Sequence, residues 1–131
     1  MDKKKTVLVA DDNDGIVASL TMVLQYGGYE VTSIMNGEEV KKMNAPFPDL
    51  ILLDIWMAGV NGFDVCRHLK AREDTKHIPI VMISAYPDSD TGALEAGAND
   101  FVEKPYTMDR MLTTIGKHLA LDSSHRHSSS L

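Results

Sequence analysis

Five times along this chain a short apolar run gives way to an amphipathic segment, and no other feature constrains the fold as tightly. A strand followed by a helix packs back onto a parallel sheet, and repetition of that unit covers both sheet faces with helices. Thr6–Ala10, Glu30–Ile34, Leu50–Leu53, Ile78–Ile83 and Phe101–Val102 read as the strands. The third and fourth are apolar enough to be buried on both sides, which places them in the middle of the sheet. The expected class is α/β, a five-stranded parallel sheet with helices on both faces.

Between the strands, Ile16, Leu20, Val23 and Leu24 form one helical stripe that Gly27-Gly28 closes. Asn36 is placed to cap a second helix through Met43, ended by Pro46 and Pro48, and Asn61 a third through Phe63, Cys66 and Leu69. A fourth near Thr91–Ala96 is weakly patterned. Thr107 offers an N-cap to a last helix with Met111, Leu112, Ile115 and Leu119 on one face. With 131 residues and 44% of them hydrophobic, one core is the expectation. Residues 1–121 are expected to form the domain and the polar stretch 122–131 a tail without order, in which His125 and His127 lack a third fixed ligand.

A formal net charge of −6 provides no basic face for a phosphate backbone, so direct nucleic-acid binding is not expected. No apolar run nears the roughly 20 residues that cross a bilayer. Met1 leads into Asp2-Lys3-Lys4-Lys5 rather than a signal-type segment, so the cytoplasm is the expected compartment and no membrane partner is expected. The lone Cys66 reads as a buried thiol.

In an open parallel sheet, ligands sit outside the carboxyl ends of the strands. There the chain carries Asp11-Asp12 after the first strand, Asp54 after the third, Ser84 after the fourth and Lys104-Pro105 after the fifth. Each is weak evidence alone, since Asp11-Asp12 before a helix is an ordinary capping signal. Together they converge on one edge. Three crowded carboxylates repel one another, and a hard divalent cation with oxygen ligands relieves that repulsion; Mg²⁺ suits a shallow site with few protein ligands. With Lys104 and Mg²⁺ balancing three carboxylates, a phosphoryl group of about −1.5 to −2 on Asp54 leaves an excess of about one negative charge.

The motifs V-L-V-A-D-D, L-I-L-L-D-I-W-M, I-V-M-I-S-A and G-A-N-D-F-V-E-K-P-Y resemble, in order, those of response-regulator receiver domains, from about Thr6 to Leu121. The resemblance implies a flavodoxin-like sheet of strand order 2-1-3-4-5 and a signalling phosphoacceptor rather than an enzyme that turns over a metabolite. It implies Asp54 as acceptor, Asp12 and Asp54 as direct Mg²⁺ ligands, Asp11 acting largely through water, and the Trp56 backbone carbonyl as a further ligand. Ser84 is implied as the hydroxyl that moves toward the phosphoryl group and Lys104 as its ion-pair partner, with a cis bond at Lys104-Pro105. Phe101 takes the place of the switch aromatic, although a fixed strand aromatic accounts for it equally. Trp56 and Tyr86 occupy the positions that flank the phosphoryl group and govern water access, unless Trp56 points away and serves a partner. Ala58 stands where the family often has proline. The implied partners are a histidine kinase or phosphotransfer protein and a downstream protein target.

Three other classes compete. An aspartate-dependent phosphatase normally needs a second Asp two residues after the nucleophile, where this chain has Trp56. A flavin module needs hydroxyls and N–H groups where Asp11-Asp12-Asn13-Asp14-Gly15 is acidic. An unphosphorylated interaction domain has no use for the acceptor set.

Overall fold

Alternation within the strands decides where everything else packs. The computed structural model describes residues 4–57, 60–85 and 89–128, without side chains at 89–90 and 120–128. Its main sheet comprises β1 (Thr6–Ala10), β2 (Glu30–Ile34), β3 (Leu50–Asp54), β6 (Ile80–Ser84) and β7 (Asp100–Glu103). All neighbours are parallel, in the order β2-β1-β3-β6-β7. Counting only these five, that is the expected order 2-1-3-4-5.

Successive strand residues point to opposite faces, and both faces of this sheet are apolar. Leu8, Ala10, Ile51, Leu53, Ile80 and Met82 face a core that includes Val40, Val65, Cys66, Leu69 and Ala93. Val7, Val9, Leu50, Leu52, Val81 and Ile83 face a second core with Leu20, Leu24, Met111, Ile115 and Leu119. So α2 (Gly37–Lys41), α3 (Gly62–Ala71) and α4 (Ser89–Glu95) cover one face, and α1 (Asp14–Tyr26) and α5 (Met108–Ser128) the other. The expected buried middle is β3 and β6, as their strand residues 50–53 and 80–84 are buried throughout.

Local signals act where the sequence places them. Asn36 and Asn61 cap α2 and α3 through their side-chain oxygens, and Thr107 Oγ1 accepts the Arg110 N–H at 3.0 Å to start α5. Helix α1 closes at Gly27, and the left-handed turn falls on Gly28 at φ 94°, a conformation without penalty only for glycine. Helix α2 ends at Lys41, short of the expected Met43: Lys42 and Met43 donate their N–H groups three residues back, to Glu39 O and Val40 O, and Arg72 donates to Lys41 O at 2.7 Å and Met43 O at 3.0 Å. The amino-terminal edge is tied similarly. Lys70 Nζ donates to Ile78 O and Asn99 Oδ1, each at 2.8 Å, and Asn99 Oδ1 also accepts the Ile80 N–H.

Two further features were not read in the sequence. Helix α5 runs past Leu121 to Ser128, each added residue closing one more backbone hydrogen bond. After β3 the chain also forms an antiparallel hairpin, β4 (Trp56–Met57) with β5 (Val60–Asn61), pairing Trp56 with Asn61. Gly62 closes the hairpin by donating its N–H to Ile55 O at 2.5 Å. A Cβ at Gly62 would collide with the Asp54 carbonyl and with Ile55 at 2.7 Å. Among the described residues no helix is long and apolar enough to cross a membrane.

Gly62→Ala therefore forces backbone apart next to Asp54 and is expected to destabilise the protein by about 1–3 kcal/mol, read as a lower urea midpoint at unchanged slope.

Candidate functional site

Parallel strands that are buried on both faces can carry charge only at their ends, and this sheet does so at its carboxyl edge. Asp11 and Asp12 follow β1, Asp54 is the last residue of β3, Ser84 the last of β6, and Lys104 follows β7. Register aligns these ends: Ala10 pairs with Leu53, Asp54 with Ile83 and Ser84 with Glu103. The Lys104 N–H donates to Ser84 O at 2.8 Å, which draws the fifth strand end to the fourth.

One carboxylate oxygen from each of Asp11, Asp12 and Asp54 lies within 4.8 Å of the others. Lys104 Nζ is 3.9 Å from Asp54 Oδ1, with both side chains largely covered. Asp11 is 2% exposed. Its Oδ1 accepts the Asn13 N–H at 2.9 Å, but its Oδ2 is buried without a hydrogen-bond partner among the described residues. An orphaned carboxylate oxygen is expensive. A hard divalent cation satisfies it and the crowding together, so the residues present fit the metal that the sequence implied.

The electrostatics point the same way. Burial, then the charge of Asp11, raises the Asp54 carboxyl from its ordinary 3.8 to about 6, against the opposing pull of Lys104. Burial also raises Asp11, with Asp12 adding to the shift. A carboxylate cluster raised in this way holds protons it would release to a cation.

Ser84 is buried at 2% exposure. Phe101 lies within β7, partly buried against the core beneath α2, α3 and α4. Trp56 is 53% exposed on β4, and the Lys104-Pro105 peptide is cis as expected. Tyr86 lies outside the described residues. Tyr106 was not singled out in the sequence. It packs on the α1–α5 side, where burial and the charge of Asp11 raise its phenol, and its place directly after Lys104-Pro105 was the available signal.

The response regulator receiver domain family matches residues 7–116. Response regulator PleD of Caulobacter vibrioides is 45% identical over 103 residues, which are 76% of this chain and 22% of PleD. DNA-binding response regulator MtrA of Mycolicibacterium smegmatis is 34% identical over 119 residues, 88% of this chain and 51% of MtrA. Among solved structures, a candidate response regulator from Chloroflexus aurantiacus J-10-fl superposes with a TM-score of 0.85 at 32% identity, covering 90% of this chain and 99% of that one. The chain thus spans only about a fifth of PleD and about half of MtrA.

Because the folded Asp54 carboxyl binds its proton more tightly than the unfolded one, its contribution is fully present below pH 3.8 and lost as pH rises through about 6. In cation-free buffer the protein is expected to lose on the order of 2–3 kcal/mol across that window. Asp54→Asn should flatten the slope and be the more stable protein at pH 7, as read by denaturant unfolding at a series of pH values.

Proposed function

The chain belongs to the response regulator receiver domain family, the phosphoaccepting part of two-component signalling, and on that premise we propose that Asp54 is the residue phosphorylated. The observation that carries this reading is the placement of Asp54 at the end of the central strand, with two carboxylates beside it and Lys104 Nζ 3.9 Å away. Asp12 and Asp54 would hold Mg²⁺ directly, Asp11 through water, and the Trp56 carbonyl would complete the protein's share. When bound, the cation supplies charge neutralisation for the incoming phosphoryl oxygens.

An Asp54 oxygen forms the new bond to phosphorus as the bond to the donor's leaving group breaks, so the nucleophile's charge is replaced by a phosphoryl group of about −1.5 to −2. Lys104, already paired with Asp54, would pair with that group, and Ser84 at the neighbouring strand end would donate its hydroxyl. Little covalent machinery is needed, because alignment and charge stabilisation carry most of phosphoryl transfer. Movement of Ser84 would leave room for Phe101, which is only partly buried, and so alter the face around α4, β7 and α5.

The phosphodonor is proposed to be a histidine kinase or phosphotransfer protein, and the cytoplasm the compartment. The target is proposed to be a protein rather than nucleic acid, since the chain carries a net charge of −6. Trp56, exposed and two residues from the acceptor, is proposed with Tyr86 to limit the access of water to the acyl phosphate.

Incubation with a small phosphodonor and Mg²⁺ should add the mass of one phosphoryl group, absent in Asp54→Asn and with chelator; no gain in the parent would sink the assignment. Once labelled, Trp56→Asn should release the group several-fold faster than the parent, and an equal rate would remove Trp56 from the access role.

A further inference from the structure

Helix α4 is seven residues long and keeps Gly92 in its interior. A glycine there weakens a helix relative to alanine, because more backbone freedom is lost on ordering it. In this helix Gly92 lies under the ring of Phe63. A Cβ at residue 92 would stand 2.9 Å from Cζ and 3.0 Å from Cε1 of the Phe63 ring. The ring rests on the α4 backbone where a methyl group would otherwise be.

Phe63 is fixed at the start of α3. Its N–H donates to Asn61 Oδ1 at 2.8 Å, and its ring packs against the core that also holds Ala93 of α4. The preceding residue, Gly62, is the one pressed against the Asp54 carbonyl. A continuous path of close contact thus leads from the Asp54 backbone to Gly62, along one peptide link to Phe63, and across the ring to Gly92. Close-packed contacts pass displacement on because they have no slack to absorb it.

We propose that Phe63 is a positioning residue through which the state of the Asp54 strand end sets the placement of α4, a second link alongside that of Ser84 and Phe101. It rests on the receiver reading above and adds a route by which phosphorylation reaches a surface. That surface is apolar in part, since Leu94 on α4 is 62% exposed. A shift of α4 therefore changes what a partner protein meets.

Two measurements test it. In thermal unfolding, Gly92→Ala should lower the melting temperature of the parent but raise it in a Phe63→Ala background, where the ring no longer blocks the methyl and helix propensity decides. A rise in both backgrounds overturns the contact as a constraint. In amide hydrogen exchange with phosphodonor and Mg²⁺, the parent should change its exchange at residues 91–97, and Phe63→Leu should take the phosphoryl group yet lose at least half of that change. A phosphorylated Phe63→Leu protein with the parent's full response overturns the link and leaves the receiver reading intact. A parent that takes no phosphoryl group overturns both, since the link then has no signal to carry.

Discussion

Charge excluded from a sheet interior must gather at its ends, and this molecule is organised around that exclusion. Residues 50–53 of β3 and all of β6 are buried, so neither strand can carry an ionised group before its last position. The first place β3 can hold a carboxylate is Asp54, and the parallel arrangement brings the ends of β1 and β7 to the same edge. What results is a cluster with too much negative charge for its degree of burial, as the raised Asp54 carboxyl and the orphaned Asp11 oxygen both record. That imbalance suits the site to a cation and, on the proposed function, to phosphoryl chemistry.

The opposite edge is built on other terms. There Lys70 spends its ammonium on the carbonyls of Lys76 and Ile78 and on the amide oxygen of Asn99, while Asn99 also accepts a strand N–H. Arg72 closes the end of α2 by donating to two carbonyls. These cations are engaged by backbone carbonyls, by an amide oxygen and, for Arg72, by the Asp74 carboxylate, so their geometry is set by structure rather than by a ligand. The asymmetry is the division expected of a scaffold whose chemistry is confined to one rim.

Much of this was legible in the sequence because the signals were physical and local. Short continuous apolar runs marked the strands, with ends off by one or two residues. Asn36, Asn61 and Thr107 marked helix starts because their side chains can accept only from free N–H groups. The residues after each strand marked the edge where Asp11, Asp12, Asp54, Ser84 and Lys104 would gather. The β4–β5 hairpin was not legible, since each arm has only two residues and too little pattern to register. Nor was the early end of α2, where Arg72 donates from about thirty residues further along the chain. The role of Gly92 was likewise invisible: a weak helix former in a weak helix acquires meaning only when the ring of Phe63 is placed upon it.

The elevated Asp54 carboxyl ties two equilibria together. With burial and the charge of Asp11 raising the Asp54 carboxyl to about 6, an ion entering the cluster in mildly acidic solution would displace a proton rather than simply add. Below that value a cation would bind more weakly, because each binding event would first have to expel a proton. On the proposed function, acidity and metal supply would act on Asp54 as rival occupants of one carboxylate, and a shift in either would change the fraction of molecules ready to receive a phosphoryl group.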